Sequence, residues 1–244
     1  MSQSASTLAS VAAPKAAAIS SLSAFQQSLA ATAAHLAEAL PPIASRVIDA
    51  GIARLEATDA TRHALRAGQL APDFTLPDAA SQPVRLGELL NRGPVVLVFY
   101  RGSWCPYCSV QLRAYEQILP ELARRGATLV AVSPQTSDHT ALTVSEKSLS
   151  FPVLSDVGNA VARQYGLAYE VGADVAGTLR GVGIDLAAYN GTEADELPLT
   201  GTFVIAPDGR VAWADVAANF KHRPDPEVVL TVLATLPVLS AGSL

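Results

Sequence analysis

Only two of the 244 residues are cysteine and one is methionine. Two cysteines in a chain of this length exclude a disulfide scaffold. Charge is scarce as well: 16% of residues carry it and 50% are hydrophobic, while glycine and proline, 16 of each, stay far below disordered or collagen-like levels. The 17 basic residues are outnumbered by 22 acidic ones and form no cluster that would track a phosphate backbone, so nucleic acid is not an expected partner. Long apolar runs are missing. Stretches such as Pro94 to Tyr100 fall well short of the ~20 residues of a membrane-spanning helix, and no membrane partner is expected. Residues 1–20 hold one charge, Lys15, and lack the basic start and apolar block of a secretory signal; a disordered tail on a cytoplasmic protein is expected.

What is present is organised. Leu22, Phe25, Leu29, Leu36 and Leu40 keep helical spacing until Pro41 and Pro42 stop the helix. Ile43, Val47, Ile48, Ile52 and Leu55 form a second stripe that fades between Asp59 and Arg66. Residues 21–67 therefore read as a helical extension whose stripes pack on the main domain or on a second copy in a homodimer. Residues 68–244 read as the main domain, where short β-rich runs alternate with helical stretches as in an α/β sheet with crossover helices. Strands are expected near Phe74–Leu76, Val95–Tyr100, Thr128–Ser133, Pro152–Leu154, Thr202–Ile205 and Val211–Asp215. Helices are expected near Val84–Asn91, Cys105–Arg125, Ser137–Leu149, Val157–Tyr165 and Pro226–Leu236. The turn at Pro207, Asp208 and Gly209 joins the last two strands as an antiparallel hairpin, which makes the central sheet mixed. Val171–Glu196 breaks the alternation and reads as a partly helical insertion. Its lone Gly181-x-Gly183 follows no strand and carries no dinucleotide site.

The two cysteines stand three residues apart, Cys105 and Cys108, directly after the apolar strand that ends at Tyr100 and at the start of a helix. In an α/β sheet that is the crevice where ligands bind. The spacing puts both sulfurs on one face of the first turn, and Pro106 fits there because its missing N–H costs little. A helix N-terminus stabilises an anion, and Arg101 adds a full positive charge, so the more exposed sulfur is expected to have a depressed pKa. Zinc would need two more ligands, and His35, His63, His139 and His222 offer no paired spacing; no metal is expected. Trp104 is placed to cover the dithiol or to pack at the sheet edge. Tyr107 either meets substrate or is exposed in the first turn. Gln135, after the third strand, either reaches the crevice or caps a loop. His139 reads as a capping-turn residue.

Ala71 to Asp78, the strand into the C-x-x-C, Phe151 to Asp156, and Thr202 to Ile205 ahead of Pro207, Asp208 and Gly209 together resemble the peroxiredoxin (alkyl hydroperoxide reductase / thiol-specific antioxidant) family of the thioredoxin fold. Arg101 to Cys108 with Ser133 to Thr136 is similar to the subgroup with a C-P-Y-C motif. The resemblance implies a thioredoxin-like α/β fold and a thiol-dependent peroxidase that reduces hydrogen peroxide or organic hydroperoxides. It further implies no cofactor, and reset by an external dithiol of the thioredoxin or glutaredoxin kind. The family's Pro, Thr and peroxidatic Cys fall on Arg101, Cys105 and Cys108, and its peroxide-polarising Arg falls on Thr200. In a peroxiredoxin register Cys108 attacks and Cys105 resolves; in a thioredoxin register the roles reverse. Two other readings stand beside the peroxidase: a thiol-disulfide oxidoreductase acting on protein disulfides, and a non-catalytic redox-sensing binding domain.

Overall fold

The computed structural model describes residues 23–237, so the tail expected over 1–20 lies outside the described residues. Five strands form the central sheet: β3 (Val95–Phe99), β4 (Thr128–Ser133), β5 (Val153–Ser155), β8 (Thr200–Ile205) and β9 (Val211–Ala217), in the order β5-β4-β3-β8-β9. β3, β4 and β5 run parallel, while β8 is antiparallel to both β3 and β9, the mixed sheet expected from the hairpin. All five residues of β3 are buried, which is why this strand reads as an unbroken apolar run rather than an alternation. Two ribbons lie apart from the sheet. β1 (Thr75–Pro77) pairs with β2 (Pro83–Arg85), and β6 (Ala168–Glu170) pairs with β7 (Glu196–Pro198). The strand expected near Phe74–Leu76 thus belongs to a small antiparallel ribbon and not to the main sheet.

The remaining helices are α1 (Ala24–Ala39), α2 (Pro42–Ala57), α3 (Leu86–Leu90), α4 (Pro106–Gln117), α5 (Leu119–Arg124), α6 (Ser137–Lys147), α7 (Ala160–Gln164), α8 (Ala173–Gly181), α9 (Leu186–Asn190) and α10 (Pro226–Thr235). The single helix expected over Cys105–Arg125 is two helices, broken at Ile118. Pro120 has no N–H to offer the Glu116 carbonyl, so the ladder stops and restarts. α8 and α9 supply the helical part of the expected insertion.

Two apolar layers flank the sheet. Val96, Val98 and Val204 face α1, α4 and α10 on one side, together with Phe25, Leu29, Leu112, Tyr115, Val229 and Leu233. Val95, Leu97, Phe99, Phe203 and Ile205 face Leu86, Leu90 and Tyr165 on the other. Burying each such side chain fully is worth about 1.5–3 kcal/mol, so these layers dominate the stability of the sheet. α1 lies across α4 and α2 packs on α8, which buries Phe25, Leu29 and Ile52 of the two stripes and leaves Ile43 exposed. The start of α1 is also tied to the start of α10. Ser23 caps α1 by accepting from the Gln26 N–H at 3.1 Å, and its hydroxyl donates to the Asp225 carboxylate that caps α10. No helix among the described residues is long and apolar enough to cross a membrane.

Candidate active site

β3 ends at Phe99, and the chain turns through Gly102 into α4, whose N-cap is Cys105 and whose first residue is Pro106. Gly102 has φ +151°, and a Cβ there would sit 2.4 Å from Trp104 Nε1, so only glycine permits this turn. Gln135, at the end of β4, holds the turn from the side. Its Oε1 accepts from the Ser103 N–H at 2.6 Å and its Nε2 donates to Ser103 Oγ at 3.2 Å. Gln135 therefore fastens the loop before the dithiol, the plainer of its two expected roles.

Both cysteines are free thiols and both are buried, Cys105 at 1% exposure and Cys108 at 0%. The dithiol is thus not at an exposed helix start. Arg223, itself 2% exposed, donates from Nη2 to Cys108 Sγ at 3.2 Å, and its Nη1 donates to the carbonyls of Phe220 and His222. Burial works against a charge on Cys108. The Cys105 thiol donating to it, the Arg223 guanidinium, the Arg101 backbone and the Arg101 charge outweigh that cost and hold Cys108 well below the ordinary thiol range. Cys105 moves the opposite way: burial, its hydrogen bond to Cys108 and the neighbouring charge push it well up, against the pull of Arg101 and Arg223. The two shifts thus run in opposite directions, Cys108 down and Cys105 up. Both sulfurs are buried, so exposure does not choose between them; the downward shift falls on Cys108 through the Cys105 hydrogen bond first and Arg223 second.

Arg101 does face the dithiol. Its guanidinium lies 3.8 Å from the Phe220 ring centroid and 4.8 Å from that of Trp104, and it bonds Cys105 and Tyr169. Its Nε, the Nε of Arg223 and Trp104 Nε1 are buried donors with no partner among the described residues. Tyr107 is buried, not exposed, and packs edge-on against Phe220 with centroids 5.9 Å apart. Thr200 points away from this work, its hydroxyl donating to the Ala217 carbonyl across the hairpin at 3.5 Å. His139 stacks on Tyr189, while the cap of α6 is supplied by Thr136. Among the described residues, no three His, Cys, Asp or Glu side chains gather into a metal site.

Arg223, Phe220 and Tyr169 are the site residues that sequence reading missed. For Arg223 a signal existed. β8 runs against β3 and β9 runs against β8, so the end of β9 returns to the sheet edge where β3 delivers the cysteines. The loop 218–225 therefore lands in the crevice, and α1 helps hold it there, Gln26 Nε2 donating to the Arg223 carbonyl at 3.4 Å.

A buried dithiol at the first turn of a helix, set after a parallel strand of a five-stranded mixed sheet, defines a thiol-redox protein of the thioredoxin fold. The family model described as "AhpC/TSA family" matches residues 67–214. Peroxiredoxin Q, chloroplastic, of Sedum lineare is 33% identical over 114 residues, which are 47% of this chain and 59% of that protein. A Mycobacterium tuberculosis protein with a peroxiredoxin name is 33% identical over 103 residues, 42% of this chain and 67% of the relative. Among solved structures, peroxidoxin BcpB from Mycobacterium tuberculosis superposes with a TM-score of 0.56 at 25% identity, over 71% of this chain and 99% of that one. A Xanthomonas campestris peroxiredoxin Q gives 0.52 at 20% identity, covering 70% and 98%, a likeness of fold. The chain belongs to the AhpC/TSA family, the peroxiredoxins, and is a thiol-dependent peroxidase.

Proposed function

We propose that Cys108 is the peroxide-attacking thiolate, that Cys105 resolves it, and that the enzyme cycles through a Cys105–Cys108 disulfide. The observation that carries this reading is the Arg223 guanidinium at 3.2 Å from Cys108 Sγ, which with the Cys105 S–H keeps a buried sulfur ionised. Thiolate is the reacting species, and the lowered pKa of Cys108 favours it. The Cys108 thiolate attacks one oxygen of a hydroperoxide and the O–O bond breaks. The sulfur becomes a sulfenic acid, and the leaving oxygen takes up a proton. The unpartnered N–H groups at Arg101 Nε and Arg223 Nε supply buried donors beside the sulfur for the charge that develops on the leaving oxygen. Arg223 thus serves where the family's arginine would have stood at Thr200. The Cys105 sulfur then attacks the sulfenic sulfur, its proton leaves with the hydroxyl as water, and the disulfide forms. An external dithiol restores the thiols. Free, closely spaced cysteines of this kind belong in a reducing compartment such as the cytoplasm.

The test uses single serine variants. Cys105→Ser should trap one sulfenic acid on Cys108 with one equivalent of hydrogen peroxide, and Cys108→Ser should trap none. The reverse pattern would place attack on Cys105. If neither variant is oxidised while both exchange with a small disulfide reagent, the peroxide reading gives way to a thiol-disulfide oxidoreductase.

A further inference from the structure

An apolar cavity of about 200 Å³ opens beside the dithiol, and its position relative to the two sulfurs is unequal. Cys105 lines it and Cys108 does not. Beside Cys105 and its neighbours Trp104 and Tyr107, its walls come from the extension and the insertion, Leu36, Ile48 and Leu179 among them, and from Phe220. We infer that this cavity is the entry for the reductant. It receives a dithiol carried on a slender apolar arm, which attacks the oxidised pair at Cys105. The inference rests on the dithiol cycle proposed above and adds the place and the chemical class of its second substrate.

Two independent features choose Cys105 as the sulfur attacked. The first is access, since a molecule in the cavity meets Cys105 before anything else that can react. The second is the leaving group. Thiol-disulfide exchange is faster when the departing thiol has the lower pKa, and the sulfur stabilised as an anion is Cys108, through Arg223. A thiolate of the reductant bonds to Cys105 Sγ, the S–S pair breaks, and the electron pair leaves on Cys108 Sγ. The second thiolate of the reductant then attacks its own sulfur in the mixed disulfide, closes a ring and releases Cys105, which takes up one proton while the other goes to solvent. Two electrons pass to the protein and the dithiol is oxidised.

The same geometry decides what fits. A hydroperoxide occupying the cavity would meet the protonated Cys105 and not the reactive Cys108, so the cavity suits exchange at Cys105 better than peroxide attack. Its volume is a little above the ~150 Å³ of an apolar cavity that takes up benzene, enough for a short alkyl chain with its sulfurs and too small for a folded protein's redox loop. The walls are mostly apolar, with Arg101 and the Lys221–Asp49 ion pair also lining them, and burying two or so methylenes of a reductant supplies about tenfold preference over a polar thiol of equal reactivity.

The experiment starts from full-length protein oxidised to the disulfide with diamide, so that it stands whether or not peroxide is the natural oxidant. Reduction is followed by free thiols with dihydrolipoamide, glutathione and a thioredoxin as probes. Dihydrolipoamide should exceed glutathione by about tenfold per thiolate. Ala37→Trp, an exposed residue at the cavity mouth, should slow dihydrolipoamide by about tenfold and leave hydrogen peroxide oxidation of the reduced protein unchanged. Mass spectrometry of the trapped mixed disulfide should find the adduct on Cys105. An adduct on Cys108, an Ala37→Trp protein reduced at the unaltered rate, or a thioredoxin that outruns dihydrolipoamide and ignores Ala37→Trp would each overturn the inference. Failure of hydrogen peroxide to oxidise the wild type would overturn the peroxidase cycle instead, and the diamide arm would still read the cavity.

Discussion

Arg223→Met removes the cation that holds Cys108 as a thiolate. At the observed 3.2 Å, a full charge pair at an effective dielectric of ~20 is worth about 5 kcal/mol, a ceiling before the site relaxes. A hydrogen bond to a charged group contributes about 1.5–3 kcal/mol net. Taking roughly 2–3 kcal/mol, the Cys108 pKa should rise by about 1.5–2 units at ~1.36 kcal/mol per unit. The measurement is thiolate absorbance against pH in a Cys105→Ser background, with and without the arginine. The single-turnover rate with hydrogen peroxide below that pKa should fall in step with the thiolate fraction. Loss of the side chain also leaves the Phe220 and His222 carbonyls without their donor, so near-ultraviolet circular dichroism must show a folded variant. Arg223→Lys keeps the charge without the fork and should recover part of the shift. A folded Arg223→Met protein whose Cys108 pKa moves by less than about half a unit would refute the assignment of charge to this residue.

Further outcomes follow from the same geometry. Arg101→Ala should raise the Cys108 pKa less than Arg223→Met does, because its backbone contact survives, and should act more strongly on Cys105, which thiol titration of the serine variants would show. Because the folded pKa of Cys108 is depressed, the oxidation rate should stay flat from the ordinary thiol range downward and drop only as pH falls through that lowered value. A rate that climbs through the free-thiol range would contradict it. The disulfide should have a potential above the roughly −300 mV of structural pairs, since its reduced form is stabilised, and equilibration with a dithiol buffer measures it. Gly102→Ala should cost about 2 kcal/mol and lower Tm by roughly 4–8 °C, through positive φ and the clash with Trp104; an unchanged melt would mean that the turn has another conformation.

Much was legible in the chain itself because it depends on local pattern. The apolar run of β3 (Val95–Phe99), the hairpin at Pro207–Gly209 and the C-x-x-C at a helix start are properties of neighbouring residues, and they place a dithiol at the carboxyl end of a strand. The helix break at Ile118 was equally local, written in Pro120, yet the amphipathic pattern running across it concealed it. Tyr107 shows the limit from the other side: a first-turn position reads as exposed until Phe220 arrives from another part of the chain to cover it.

Which sulfur carries the charge could not be read that way. Cysteines three residues apart share one local environment, and Arg101 is close in sequence to both. Beside the hydrogen bond between the two sulfurs, the distant contribution comes from Arg223, 115 residues beyond Cys108, delivered by the return of β9 to the crevice and held by α1. Charge and desolvation act through space, so a pKa depends on what the folded chain brings within a few ångströms, and sequence separation does not enter. The composition and motifs of the chain determined that two cysteines stand at a helix start on this sheet; the packing of a distant guanidinium against one buried sulfur adds a pull on its pKa that no local pattern contains.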